Sequence, residues 1–295
     1  MPWWPRLGLC IHHEGSAVTS IGLIFHDGRA ETTAFADELA AWLQGEGHEV
    51  RVASGDAVPD GCFGEGLELA ISLGGDGNIL RAVALVAAHD VPILGVNFGQ
   101  LGYLTVVEPA EARTAIETTL EGRHQIERRM LLDVRVESSD PALHGQQRLA
   151  LNEALLERTP GANTVHLAVS IDGAFFTTYA ADGLIVSTPT GSTAYAFSVR
   201  GPIIESTHRA VQLTPVSPHM LFDRTLILEP TASVRLEVGR ERPASLSIDG
   251  RTLGVLHEGD AVVCTTSHHN ARLVTFGPRD FHAVLKAKFG LNDRV

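Results

Sequence analysis

The sequence predicts an α/β N-terminal domain with a parallel sheet, a β-rich second domain, and a helix at the C-terminal end. Three observations predict it. Up to residue 125, apolar runs of strand length alternate with segments of helical periodicity. From residue 126 onward, short β-type runs follow one another, punctuated by Gly, Pro, Asp and Ser. Near the end, DFHAVLKAKFG places Phe281, Val284, Leu285 and Lys288 on one helical side. The domains accordingly read as 1–125 and 126–277, with 278–295 as a terminal helical segment.

In chain order, SIGLIFH (20–26) reads as a buried strand. AETTAFADELAAWLQGEG follows as a helix, with Phe35, Leu39, Trp42 and Leu43 at helical spacing and Gly45 and Gly47 as stops. HEVRVA (48–53) and LELAISL (67–73) are strands, a helix is expected from about Asn78 to His89, and VPILGVNF (91–98) is the next strand. Helix-length connections between strands imply parallel βαβ units. The second domain begins with LLDVRVE (131–137) and continues through runs such as TVHLAVSIDG (164–173) and RLVTFG (272–277).

Composition narrows the function. A chain of 295 residues accommodates two domains of ordinary size. A net charge of −12 argues against non-specific nucleic-acid binding. No apolar run approaches about 18 residues, so no membrane span is expected. Residues 1–16 read as an extension, with an apolar stretch too short for a signal-peptide core. Cys10, Cys62 and Cys264 are few and far apart, which fits a reducing cytoplasm rather than a disulfide framework or a zinc site. The histidines form no H-x-x-x-H motif, and the neighbours His268 and His269 should point in different directions along a strand.

SLGGDGNILRAV (72–83) places Gly74, Gly75, Asp76 and Gly77 between a strand and a helix. Missing side chains let phosphates approach the backbone, and a helix N-terminus favours an anion. Asp76 is the odd member. A carboxylate beside a bound triphosphate either holds a divalent ion or takes the proton of an attacking hydroxyl. The alternative is a tight turn in which Asp76 caps the helix. A second segment, DGLIVSTPTGSTAYAFSVRGPI (182–203), ends a β-run in a turn rich in hydroxyls. Ser192 and Thr193 are placed to cap a helix over 194–198, and Thr190, Ser192, Thr193 and Tyr195 offer hydroxyls to a ribose, a base edge or a diphosphate.

Together and in this order, GGDGN, NFGQLGYL (97–104), LNEALL (151–156) and DGLIVSTPTGSTAY (182–195) resemble the NAD kinase family. TPVSPHMLFDRTLIL (214–228) and SIDGR (247–251) resemble its later segments. The resemblance implies a kinase that moves the γ-phosphoryl of ATP, with Mg²⁺, to the 2′-hydroxyl of the adenosine ribose of NAD. It implies Asp76 as the catalytic base, with Gly75 and Gly77 beside it. Asn152 and Glu153 match the dinucleotide-binding pair, and Asp182 the aspartate before the second motif. Thr190, Gly191, Ser192, Thr193, Ala194 and Tyr195 match the pocket wall. Phe98 falls where an aromatic would pack near the nucleotide or in the core, and Arg81 where it would reach phosphate or stand in solvent. The terminal helix is expected to return to the first domain, and the chain to form a homodimer or homotetramer. Where the family carries Arg, Gly and Gln, this chain has Ala180, Arg200 and Arg251. Two rival readings share features: a lipid or sugar-phosphate kinase with the same GGDG turn, and a non-catalytic dinucleotide sensor.

Overall fold

The structure is a computed structural model that describes residues 18–26, 28, 30–54, 63–99, 102–105, 107–161, 163–240, 242–277 and 280–291. The extension at 1–16, Cys10, Cys62, Gln100 and Leu101 therefore lie outside the described residues.

The first elements are β1 (Ser20–Phe25), α1 (Ala30–Gly45), β2 (Glu49–Ala53), β3 (Leu69–Gly74), α2 (Asp76–Val86), β4 (Pro92–Asn97) and α3 (Ala112–Leu120). The four strands run parallel in the order β2-β1-β3-β4. Strand β1 is buried along its whole length, as the unbroken apolar run requires of a strand covered on both faces. On one face α1 packs through Ala36, Leu39 and Leu43 against Ile21, Leu23 and Ile71, with Phe35 and Trp42 partly buried beside them. On the other face α2 packs through Ala82, Val83 and Val86. Each fully buried Leu, Ile or Val contributes roughly 1.5–3 kcal/mol relative to exposure.

The next elements are β5 (Gln125–Glu137), β6 (Gln147–Ala150), β7 (Glu153–Arg158), β8 (Val165–Ile171), β9 (Ala174–Ala181), β10 (Gly183–Ser187) and α4 (Tyr195–Ser198). They are followed by β11 (Val211–Val216), β12 (Leu226–Leu228), β13 (Val234–Val238), β14 (Ala244–Ile248), β15 (Arg251–Leu256), β16 (Ala261–Thr275) and α5 (Phe281–Phe289). An antiparallel sheet of order β12-β11-β10-β7-β14-β15 faces β8, β9 and β13 across a core that includes Leu167, Val186, Leu213, Leu236 and Leu246. The long strand β16 ties the halves together. Its end pairs in parallel with β4 through Arg272 and Leu273, and its start pairs with β13. A bulge between Thr266 and Asn270 redirects it. That bulge also overturns the expectation for the histidine pair: the rings of His268 and His269 lie 3.9 Å apart. Among the described residues no helix is long and apolar enough to cross a membrane.

Candidate active site

Helix α2 begins at Asp76, two residues earlier than its periodicity indicates, because Gly75 supplies the extended backbone just before it. The start of the helix is tied down by Asn78, whose Nδ2 donates to the Ile24 carbonyl at 2.7 Å and to Ser72 Oγ at 2.8 Å. A Cβ added at Gly75 or Gly77 would meet nothing within 4 Å. Both residues, with Gly74, wall a cavity of about 550 Å³. This is open, donor-bearing backbone at a helix N-terminus, the environment a phosphate requires.

Asp76 does not cap the helix. Its carboxylate reaches across to the chain that follows β4. Oδ2 accepts from the Tyr103 N–H at 2.7 Å, and Oδ1 from the Leu104 N–H at 2.9 Å. A charged acceptor held by two backbone donors is fixed in orientation, yet each oxygen keeps a second lone pair. Gly102 makes this approach possible, since a Cβ there would stand 2.2 Å from Oδ1. Burial and the Asp76 charge raise the pKa of the Tyr103 phenol.

The second signature folds differently from the expected cap. A single 3₁₀ turn, Gly191–Thr193, precedes α4, whose N-cap position is Ala194 and carries no side-chain cap. Ser192 Oγ instead donates to the Pro189 carbonyl at 2.7 Å and accepts from the Ile204 N–H at 2.9 Å. Thr193 Oγ1 donates to the Thr190 carbonyl, and the Tyr195 N–H goes to the Glu153 carboxylate. The hydroxyls of Ser192 and Thr193 therefore shape the turn. What reaches the cleft is the Thr193–Ala194 surface, which shares a cavity of about 540 Å³ with Asp76 and Tyr103. The first turn of α2 thus borders both cavities, Asp76 facing one and the flanking glycines the other.

Asn152 and Glu153 meet this turn from below. The Thr188 N–H donates to the Asn152 carbonyl at 2.9 Å, and a Cβ at Gly191 would fall 2.2 Å from that same oxygen. Only glycine fits such a backbone-to-backbone approach. The geometry of the pair is set by Asp249, whose carboxylate accepts the N–H groups of Leu151, Asn152 and Glu153 at 2.7, 2.7 and 3.0 Å. Burial pushes the Glu153 carboxyl up to about 8, with the Asp249 charge adding to the shift. Burial also lifts Asp249 to about 6 against its three donors. Glu153 Oε2 is buried and finds no partner among the described residues.

Three other expected residues stand as follows. Asp182 Oδ1 accepts from Arg158 Nε at 3.0 Å, and with Glu157 it raises the Tyr195 phenol, after burial as the larger cause. Phe98 packs edge-on against Phe35 at 5.2 Å, in the core beside α1. Arg81 is not a solvated arginine: it is buried, and its Nη1 donates to the Phe25 carbonyl at 3.0 Å.

Sequence reasoning missed two cationic neighbours. Lys288 Nζ lies 3.8 Å from Asp76 Oδ2, and Arg129, buried beside Glu127, donates to Thr190 Oγ1 at 3.3 Å. Among the described residues no three His, Cys, Asp or Glu side chains converge as a metal cage.

The ATP-NAD kinase N-terminal domain model matches residues 60–124, and the ATP-NAD kinase C-terminal domain model matches residues 151–276. The chain is 34% identical over 277 residues to the NAD kinase of Geobacter metallireducens, covering 91% of this chain and 96% of that one. The chain belongs to the ATP-NAD kinase family. It is likewise 33% identical over 291 residues to the NAD kinase of Solibacter usitatus, covering 94% and 99% of the two chains. The fold matches that of yeast NADH kinase complexed with NADH, with a TM-score of 0.81 and 23% identity over 94% of this chain and 89% of that one. In this member of the ATP-NAD kinase family, Asp76 of the first turn and Thr193 and Ala194 of the second face one cleft, and the terminal helix lines it through Lys288 and Phe289.

Proposed function

We propose that this chain is an NAD kinase, transferring the γ-phosphoryl of ATP to the 2′-hydroxyl of the adenosine ribose of NAD and giving NADP. The observation that carries the reading is the Asp76 carboxylate, held by the Tyr103 and Leu104 N–H groups between a glycine-lined cavity and the cavity walled by Thr193 and Ala194. A ribose hydroxyl is a poor nucleophile until a base takes its proton. Asp76 keeps a lone pair on each oxygen for that proton, and its two backbone donors hold the carboxylate still while it does so. The open amides at Gly75 and Gly77, with the positive end of the α2 dipole behind them, suit the phosphates of the donor.

Asn152, Glu153 and the 190–195 turn are proposed to hold the dinucleotide. The support is the buried, unpartnered Glu153 Oε2, an atom that a ligand hydroxyl or amide would satisfy. Asp182 and Tyr195 stand at the rim of the same region. Mg²⁺ would enter this site as an ion carried in on the phosphates, where Asp76 is the one carboxylate among the described residues lining the cavity, and it would offset charge on the transferred group. Phosphate contact by Arg81 has no geometric support, and Phe98 acts through packing.

A cytoplasmic homodimer or homotetramer, with no nucleic-acid or membrane partner, completes the proposal. The acidic net charge supports the absence of a nucleic-acid partner. The edge strand β9 supports self-association, with Phe175 68% and Phe176 42% exposed and Phe222 packed beside Phe176. The direct test is incubation of the purified chain with Mg-ATP and NAD⁺, followed by assay for NADP⁺. Formation of NADP⁺ supports the reading, and its absence overturns it.

A further inference from the structure

Helix α5 ends over the candidate cleft. Its first turn is capped by Asp280, whose Oδ1 accepts the Ala283 N–H at 2.9 Å, and Gly290 closes it with φ of 60°. None of its side chains is fully buried. Its last turn nevertheless makes two specific contacts. The Phe289 ring lies 4.9 Å from the Phe197 ring, and Lys288 Nζ sits 4.0 Å above the Tyr103 ring. Tyr103 is the residue whose N–H holds Asp76 Oδ2.

The ordinary account of Lys288 is a cation favourable to the C-terminal end of a helix. That account explains Lys286 equally well and says nothing of where Lys288 points. Lys288 Nζ is 3.8 Å from Asp76 Oδ2, near enough for attraction but too far for a direct hydrogen bond. Its three donors are therefore not consumed by the carboxylate. Its side chain is 28% exposed, and among the described residues lining the cavity it is the one cation.

We infer that Lys288 is a phosphate-binding residue of this site, gripping the phosphoryl group during transfer and the 2′-phosphate of the product. The inference rests on the kinase reading above. In the step, the 2′-oxygen forms a bond to the γ-phosphorus, and its proton passes to Asp76. The bond from that phosphorus to the β,γ-bridging oxygen breaks, with its electron pair leaving on ADP. Asp76 thereby loses its charge as a phosphate monoester appears on the neighbouring oxygen. Lys288 stands within reach of both positions, so its positive charge is matched before and after the step without a proton moving to or from it. A lysine that binds the transferred phosphate favours NADP⁺ over NAD⁺, and this separates it from one that merely docks the helix.

The test compares the full-length parent, Lys288→Met and Lys288→Arg in steady-state kinetics and in calorimetric binding of NAD⁺ and NADP⁺, with thermal melts as a check on folding. Lys288→Met should lower kcat by about 10²-fold. It should weaken NADP⁺ binding by about 10–100-fold while NAD⁺ binding stays within about twofold. Lys288→Arg, which keeps the charge, should recover most of both. Equal loss of NAD⁺ and NADP⁺ affinity, or no loss in either, overturns the inference. A parent protein that makes no NADP⁺ overturns the kinase reading itself, an outcome visible before any variant is made.

Discussion

Gly102 and Asp76 are in contact that admits no side chain: a Cβ on Gly102 would stand 2.2 Å from Asp76 Oδ1 and 2.9 Å from its Cγ. The carboxylate is thus positioned by a residue distant in sequence, together with the N–H groups of Tyr103 and Leu104. Gly102→Ala should push the carboxylate off its two donors. Misplacing a reacting group by about 1 Å costs on the order of 10²-fold in rate. Steady-state kinetics should show kcat reduced by about that factor with the melting temperature little changed. A variant with parental kcat would mean that the position of Asp76 is not held by this contact.

Glu153 makes stability depend on pH. Its carboxyl rises from 4.5 when unfolded to about 8 when folded, chiefly through burial. Between those values the folded chain binds one proton more than the unfolded chain, so stability falls as pH rises and levels off above about 8. Asp249, raised from 3.8 to about 6, adds a fall of the same sign over its own lower window. The Glu153 share is about 5 kcal/mol. Glu153→Gln keeps an acceptor for the Tyr195 N–H and removes the charge. Denaturant unfolding at pH 5, 7 and 9 should give this variant a flatter profile and greater stability than the parent at pH 9. An unchanged slope would show that Glu153 does not carry the effect.

Arg200 stands at a position where the family resemblance leads one to expect glycine, and the backbone conformation of glycine is retained: φ is 68°. The chain leaves α4 here, with the Arg200 N–H on the Phe197 carbonyl and the Gly201 N–H on the Ala196 carbonyl. A left-handed conformation costs a residue with a Cβ about 1–2 kcal/mol. Glycine gives back about 0.4–1 kcal/mol through its freer unfolded chain. Arg200→Gly should therefore raise unfolding stability by about 0.5–1 kcal/mol in urea titration. A loss of stability would show that the Arg200 side chain makes a compensating contact.

Much of the fold was legible because the parallel strands are continuous apolar runs and the glycine turn joins one of them to a helix. Asp76 and the 190–195 turn could be named because each follows a strand-length run with residue types unusual for a plain turn, whereas Asn152 and Glu153 were named only through the family resemblance. Their joining was not legible. The Thr188 N–H on the Asn152 carbonyl, the Gly191 backbone against that same oxygen, and the three N–H bonds to Asp249 link segments far apart in the chain. Residue type also misled at particular positions. Arg81 reads as an arginine that reaches phosphate or stands in solvent, but α2 is buried on nearly every side, so the guanidinium turns to the Phe25 carbonyl. Ser192 and Thr193 have the composition of a helix cap, yet a 3₁₀ turn intervenes and their hydroxyls bond within the loop. Lys288 lay on the expected side of its helix, but only the docked helix brings it to Asp76.

The central claim is that Asp76 takes the proton of the 2′-hydroxyl, and the rate of NADP⁺ formation by Asp76→Asn tests it most directly. Asparagine offers one oxygen where the structure uses two, so NAD⁺ binding and thermal stability are measured on the same preparation to separate lost basicity from a loosened loop. With NAD⁺ affinity within a few-fold of the parent, kcat should fall by about 10²–10⁴, equivalent to about 3–5 kcal/mol of barrier. A variant that binds NAD⁺ normally and forms NADP⁺ at close to the parental rate would contradict the account.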